Sequence, residues 1–284
     1  SAGGGSIVLG DGTTRRAYVG ASNIVSADAI ASGNGGRISI AANHLDTNGT
    51  APRTNYGVTE VYGTLTARGG LEGGNGGQVS TSGQALTTRL DVSGTILAGR
   101  VDASARAAGG AAGTWTIDPF NVTISNNAPT STGPIWTPTA PDARINAADI
   151  SNALDAGTNV EINTGTTGVG NQAGTITIAA GTSITRTAAG PATSLTLRAH
   201  DSITMDSADI TASGGAPLNV NFFSDLDGNG TGGVSLSNSR ITTAGGNLTL
   251  CGGTAPPTPF PRGWCGICRR AIPTSRKSPS RSKW

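Results

Sequence analysis

Apolar residues alternate with polar ones in a series of short segments along the chain. A period of two places one apolar row on one face of a β-strand. In the second half of the chain these segments lie at 175–178, 195–197, 203–205, 218–220, 234–236 and 248–250. Glycine, asparagine or aspartate stands in nearly every gap, so the pattern predicts many short strands separated by tight turns.

A glycine-rich motif repeats in the first half of the chain. Gly33-Asn34-Gly35-Gly36 recurs 41 residues later as Gly74-Asn75-Gly76-Gly77, and glycines 109, 110 and 113 return after a further 36. Strands this short cannot bury an apolar row alone and must stack on neighbours. We therefore predict an all-β fold, a right-handed parallel β-helix with glycine and asparagine at positive-φ corners. An antiparallel β-sandwich is the alternative, since strands at regular spacing also indicate one.

One segment departs from the strand pattern. Asn146 is placed to cap a short helix over 147–156, and Gly157 is placed to stop it. The apolar face of this helix carries Ile150, Ala153 and Leu154. A proline-rich loop, 129–141, precedes it and contains Trp136. We expect this loop and helix to form an excursion from the coils.

Four regions follow from these patterns. They are glycine-rich coils over 1–125, a loop and short helix over 126–157, further coils over 158–250, and a tail over 251–284. The chain opens on Ser1-Ala2-Gly3 without a methionine or a signal segment, so we expect an internal piece of a longer protein. No apolar run approaches the roughly 18 residues of a membrane helix, so we expect no membrane insertion.

Composition supports strands over disorder, and it separates the tail from the body. The chain is 36% hydrophobic and 4% aromatic with 44 glycines, which argues against a large aromatic core. The formal charge is +2, but 251–284 holds seven basic residues and no acidic one, which leaves 12 basic and 17 acidic residues in 1–250. The mildly acidic body gives no reason to expect a nucleic-acid partner.

The tail has a different composition from the coils. Its Cys265-Gly266-Ile267-Cys268 has redox or zinc spacing, but one such pair is half a zinc site and no thioredoxin-like context surrounds it. Cysteine, proline, lysine and arginine all become frequent at 251. We interpret 251–284 as a disordered tail, translated out of frame or otherwise foreign to the coils.

Asp225-Leu226-Asp227-Gly228-Asn229-Gly230 begins like a calcium-binding EF-hand loop, with oxygen ligands at alternate positions. The weak candidate ligands are Asp225, Asp227 and Asn229. The twelfth position, where that loop needs a bidentate glutamate, is Leu236. We therefore expect a tight glycine-rich turn, no metal and no cofactor.

Other chemistry-bearing residues give weaker signals. Asp201, Asp206 and Asp209 are compatible with the carboxylate clusters of β-helical polysaccharide enzymes, but they alternate with serine and threonine and lack a basic cluster. We interpret them as solvated corner residues. His44 and His200 stand far apart with no metal-ligand spacing. The sequence therefore predicts no catalytic site.

The segment from Gly113 to Ser125, Gly-Thr-Trp-Thr-Ile-Asp-Pro-Phe-Asn-Val-Thr-Ile-Ser, reads as strand, corner, strand. It resembles the signature of filamentous-haemagglutinin-type exoproteins, the large secreted partners of bacterial two-partner secretion systems. The residues that carry the resemblance are Trp115, Ile117, Asp118, Pro119 and Asn121. We expect a structural role for them, with Trp115 and Ile117 packed inward and Asp118-Pro119 turning the corner.

The resemblance implies a structural or adhesive segment of a secreted or surface-displayed bacterial adhesin. An outer-membrane transporter would export it by recognising a region missing here, since the Asn-Pro-Asn-Gly segment of the secretion domain is absent. Host glycans and host proteins both remain possible receptors. The shaft of a contact-dependent growth inhibition toxin is one alternative, and a β-helical polysaccharide-active enzyme is another.

Overall fold

The computed structural model describes residues 3–43, 56–164 and 172–252, and there the chain forms a parallel β-helix. One wall of the β-helix, sheet A, has eight parallel strands, one for each turn of the β-helix. In spatial order they are β1 (Ser6–Leu9), β4 (Arg37–Ala42), β7 (Gln78–Gly83), β12 (Thr114–Asp118), β16 (Asn159–Asn163), β19 (Thr193–Arg198), β22 (Leu218–Phe223) and β25 (Leu248–Cys251).

The second wall, sheet B, also has eight parallel strands. In spatial order they are β2 (Arg16–Val19), β5 (Val58–Val61), β8 (Ala85–Thr87), β15 (Asp142–Asn146), β13 (Asn121–Ser125), β17 (Ile176–Ile178), β20 (Ile203–Asp206) and β23 (Val234–Ser237). Parallel pairing throughout both sheets excludes the antiparallel sandwich. The predicted parallel β-helix is therefore confirmed.

The third wall is interrupted by the helix. Its first part contains β3 (Ile24–Ser26), β6 (Thr64–Thr66) and β11 (Arg100–Asp102), and its last part contains β18 (Ser183–Arg186), β21 (Asp209–Ala212) and β24 (Arg240–Thr242). The helix α1 (Ala147–Asp155) packs between β11 and β18. The hydroxyl of Ser151 accepts a hydrogen bond from the amide of Thr185 at 2.9 Å. This amide lies at the edge of β18 that faces the helix, and the hydroxyl supplies the partner that a neighbouring strand would otherwise provide.

The helix itself forms where the sequence predicts it. The side chain of Asn146 accepts from the amide of Ala148 at 3.0 Å, and Gly157 follows the helix with a φ of +88°. The expectation that the helix leaves the coils is wrong, because Ile150, Ala153 and Leu154 are fully buried in the core of the solenoid. A nine-residue amphipathic helix can take the place of a wall strand because its apolar face covers the same interior.

Apolar ladders fill the interior. Successive strands of sheet A contribute to one ladder Ile38, Val79, Trp115, Val160, Leu195 and Val220, all buried. One hydrophobic cluster contains buried residues from successive turns, the first Ala17 and the last Phe222, together with the apolar face of α1. The core is therefore continuous across 126–157, and the predicted second set of coils extends the first.

The glycine repeats stack on one another at one corner. An added Cβ on Gly76 would lie 1.8 Å from the carbonyl oxygen of Ala103, and one on Gly35 would lie 2.0 Å from that of Ala67. Gly74 has the predicted positive φ of +124°, but Gly35 and Gly76 are needed for close approach of backbones. The spacing between the first two glycine repeats reflects this stacking, because it brings one repeat onto the next. Gly35 of the first repeat donates its amide hydrogen to the carbonyl of Asn75 in the second at 2.9 Å.

Two excursions leave sheet B on its outer side. The first is a hairpin of β9 (Arg89–Val92) and β10 (Thr95–Ala98), the one antiparallel pair within the described ranges. The second runs from β13 through β14 (Thr130–Ser131) to β15, and β14 pairs with β9. β15 follows β13 in the chain but lies between β8 and β13 in sheet B. The corresponding strands of sheet A, β7 and β12, pair directly with each other, so sheet A has no counterpart of β15.

The predicted tail falls almost wholly outside the described residues. Within it, Cys251 ends β25 beside Phe223 of β22, so the last coil runs one residue beyond the predicted boundary. The Cys265–Cys268 pair and His44 also lie outside the described residues. The described helix is too short to cross a membrane.

Candidate functional site

The segment from Gly113 to Ser125 forms the predicted strand, corner and strand. The two strands are β12 and β13, and Pro119 and Phe120 lie between them. Trp115 and Ile117 are fully buried, which confirms that they pack inward. The indole Nε1–H of Trp115 donates to the hydroxyl of Thr81 at 3.1 Å. A buried tryptophan needs such a partner, so the hydroxyl at Thr81 has a role in the core.

The corner after Trp115 is fixed by polar contacts with other turns. The carbonyl of Asp118 accepts from the hydroxyl of Ser82 at 2.9 Å, and Asp118 itself is the last residue of β12. The side-chain oxygen of Asn121 accepts from the amides of Gly174 at 3.0 Å and Thr175 at 2.9 Å. Asn121 therefore links this corner to the next turn, where the chain enters β17.

The excursion over 126–141 covers part of the outer face of sheet B. A second, smaller apolar cluster lies beneath it, separate from the interior core. Its buried members are Val58, Tyr62, Ala85, Leu90 and Trp136. The loop is thus folded against the solenoid with Trp136 as its anchor, and the sequence placed Trp136 in this loop without predicting what it contacts.

An ion pair between the buried Glu60 and the partly exposed Arg16 holds the backbone of Trp136. The fully buried carboxylate of Glu60 accepts from the amide of Trp136 at 2.6 Å and from the hydroxyl of Tyr62 at 3.0 Å. Arg16 pairs with the other oxygen of Glu60 and donates to the carbonyl of Trp136 at 3.3 Å. Burial, and then the charge of Glu60, raise the pKa of Tyr62 above its usual value. The backbone amide and the backbone carbonyl of Trp136 therefore both have hydrogen-bond partners.

A second ion pair ties the hairpin to the helix. Arg89 donates to one carboxylate oxygen of Asp149 at 2.6 Å, and the hydroxyl of Thr88 donates to the other at 2.7 Å. Burial raises the pKa of Asp149, although hydrogen bonding from Arg89 and its charge act in the opposite direction. The two excursions are thus attached to sheet B and to α1.

The outer surface of the loop offers contact groups held on this rigid base. A cavity of about 200 Å³ lies beside Trp136 and is lined by Pro129, Pro138, Asp142 and Arg144 among others. Ile135, next to the anchor, is 52% exposed. Binding residues are disproportionately found on loops that a rigid scaffold holds in place.

A smaller cavity of about 150 Å³ lies at the end of α1. Arg186 lines it, is almost fully buried, and donates to the backbone carbonyl of Asp155 at 3.2 Å. A positive charge at the C-terminal end of a helix interacts favourably with the helix dipole. The arrangement therefore stabilises the helix end, and Arg186 has a structural explanation.

The carboxylates weighed as catalytic groups do not converge. Asp206 ends β20 and Asp209 begins β21, and Asp209 lies 3.5 Å from Arg240 in an exposed pair. Asp201 accepts from the neighbouring hydroxyl of Ser202 at 3.2 Å. Within the described ranges, no three His, Cys, Asp or Glu side chains form a group that could hold a metal ion.

The Asp225 loop follows β22 and folds against the preceding turn. The amide of Asp225 donates to the carbonyl of Asp201 at 2.8 Å, and Nδ1 of His200 lies 3.6 Å from a carboxylate oxygen of Asp227. Asp227 and Asn229 are exposed, and Asp225 is buried. The three predicted weak ligands therefore share one short loop but differ in exposure.

Comparison with known protein families and with curated proteins gives no match for this chain. The residues that the sequence did not single out are Glu60 and Arg16. The signal that could have pointed to Glu60 is an acidic residue within the short strand Val58–Val61. Its partner lies 76 residues away, and a pattern of period two does not indicate such a distant contact.

Proposed function

We propose that this chain is a structural and adhesive segment of a secreted or surface-displayed bacterial adhesin of the filamentous-haemagglutinin type. The observation that carries the proposal is the segment at Trp115 to Asn121, whose residues resemble the family signature. Its position supports the proposal too, because the segment leads directly from the core into the loop that projects from sheet B.

The proposed mechanism is structural and includes no catalytic step. Stacked coils need contacts with neighbouring turns alone, so they can fold progressively and extend a surface away from the cell. The excursion over 126–141 presents contact groups, and the Glu60–Arg16 pair limits the conformational entropy that binding would cost. A host glycan or host protein is the proposed receptor, and an outer-membrane two-partner transporter is the proposed export partner.

Binding of the full chain to surfaces tests the adhesive role. Fluorescently labelled chain is applied to cultured epithelial cells and to arrays of glycans and matrix proteins. We expect saturable binding that Ile135→Asp reduces at least tenfold. Leu71→Asp is the matched control, because Leu71 is a 65% exposed apolar residue outside this loop.

The outcomes separate the parts of the proposal. Absence of saturable binding to every surface would contradict the adhesive role. Equal binding by the Ile135→Asp and Leu71→Asp variants would contradict the role of the loop. The gene neighbourhood tests export, since we expect an adjacent gene for a two-partner transporter. A toxin domain encoded downstream would instead favour the shaft of a contact-dependent toxin.

A further inference from the structure

The loop Asp225 to Gly230 places a carboxylate in a buried position. Asp225 is 2% exposed and has a φ of +53°, in the left-handed region that aspartate and asparagine enter more readily than other residues with a side chain. One oxygen of its carboxylate accepts from the amide of Gly230 at 3.3 Å. The side chain therefore points into the turn that the loop makes around it.

The other carboxylate oxygen of Asp225 has no partner. It is buried, and no protein group donates a hydrogen bond to it. An ionised carboxylate that is removed from water without a compensating charge or donor is strongly unfavourable. A cation beside this oxygen would offset that cost.

Further oxygen groups belong to the same loop. Asp227 and Asn229 follow at alternate positions, as in calcium-binding loops, and both are exposed. Gly228 and Gly230 have φ values of +65° and +80°, which turn the backbone around the side chains.

We propose that this loop binds Ca²⁺ through Asp225, Asp227 and Asn229, with water completing the coordination. All three supply oxygen, the ligand that hard divalent cations prefer, and calcium tolerates irregular geometry better than magnesium. The missing glutamate at Leu236 lowers the affinity, because coordination rests on two carboxylates. The site then belongs with weak extracellular sites, with a Kd of about 10⁻⁴ to 10⁻³ M.

Calorimetric titration of the full chain tests this inference. We expect saturable heat with CaCl₂ in that concentration range and a weaker response with MgCl₂. Asp225→Asn and Asp227→Asn should each weaken calcium binding at least tenfold. Asp206→Asn is the matched control, because Asp206 is an exposed aspartate outside the loop and should leave the titration unchanged.

A thermal melt gives a second readout. With a Kd of 1 mM, 10 mM calcium raises the ratio of folded to unfolded chain about 11-fold, which is a shift of roughly 3–6 °C for a domain of this size. No saturable heat below 10 mM CaCl₂ would overturn the inference, and so would equal binding by the wild type and Asp227→Asn. The Asp227 variant decides if Asp225→Asn fails to fold. The outcome does not depend on whether the chain is adhesive.

Discussion

The hydrogen bond from Trp115 to Thr81 explains why a hydroxyl occupies an interior position of β7. Thr81 stands in the core ladder between Ile40 and Ile117, where the pattern of the neighbouring strands favours an aliphatic residue. It is fully buried, and its Oγ1 accepts from the indole nitrogen at 3.1 Å. Thr81→Val keeps the shape of the side chain and removes the acceptor.

The expected loss follows from two opposing terms. An unsatisfied buried N–H costs about 1–3 kcal/mol, and the extra buried methyl group returns up to about 0.8 kcal/mol. We therefore expect Thr81→Val to lower the free energy of unfolding by roughly 0.5–2 kcal/mol. Trp115→Phe removes the donor, so its cost should be about 1–2 kcal/mol smaller when Thr81 is already valine.

Urea unfolding of the full chain, followed by circular dichroism, measures these differences. Thr123→Val is the control, because Thr123 is exposed on the outer face of β13. The wild type and the three variants at Thr81 and Trp115 form a double-mutant cycle. A Thr81→Val variant as stable as the wild type, or a coupling energy below about 0.5 kcal/mol, would refute the assigned role of the hydroxyl.

Three further predictions concern backbone approach, helix capping and pH. Gly76→Ala should destabilise the chain by about 1–3 kcal/mol, because its Cβ would meet the carbonyl of Ala103, whereas Gly73→Ala should not, because a Cβ there meets nothing within 4 Å. Asn146→Ala should cost about 1–3 kcal/mol, because it removes both the helix cap and the hydrogen bond that the Asn146 amide donates to the carbonyl of Asn126 at 2.9 Å. Burial raises the pKa of Asp155, but hydrogen bonds from the 187–188 backbone outweigh it and leave the pKa lowered. Its stabilisation is therefore present above the unfolded pKa of about 3.9 and is lost as pH falls through the lower folded pKa. Urea midpoints should thus fall less between pH 7 and pH 3 for Asp155→Asn than for the wild type, and an equal fall would contradict the assignment.

The sequence by itself determined the local elements. Period-two alternation placed strands such as β19, β20 and β22, and the Asn146 cap with the Gly157 stop placed the helix within one residue of its end. These signals are local, because turn residues and alternating burial depend on neighbours in the chain. The glycine repeat indicated stacking as well, since close approach of successive turns leaves no room for a side chain.

The tertiary structure alone decided which segments meet across the turns. It placed α1 in the third wall between β11 and β18, and it inserted β15 on the earlier side of β13. It also brought Glu60 to the backbone of Trp136 and left an oxygen of Asp225 without a partner. Such contacts depend on how turns of unequal length stack, and a one-dimensional pattern of apolar residues carries no record of that register.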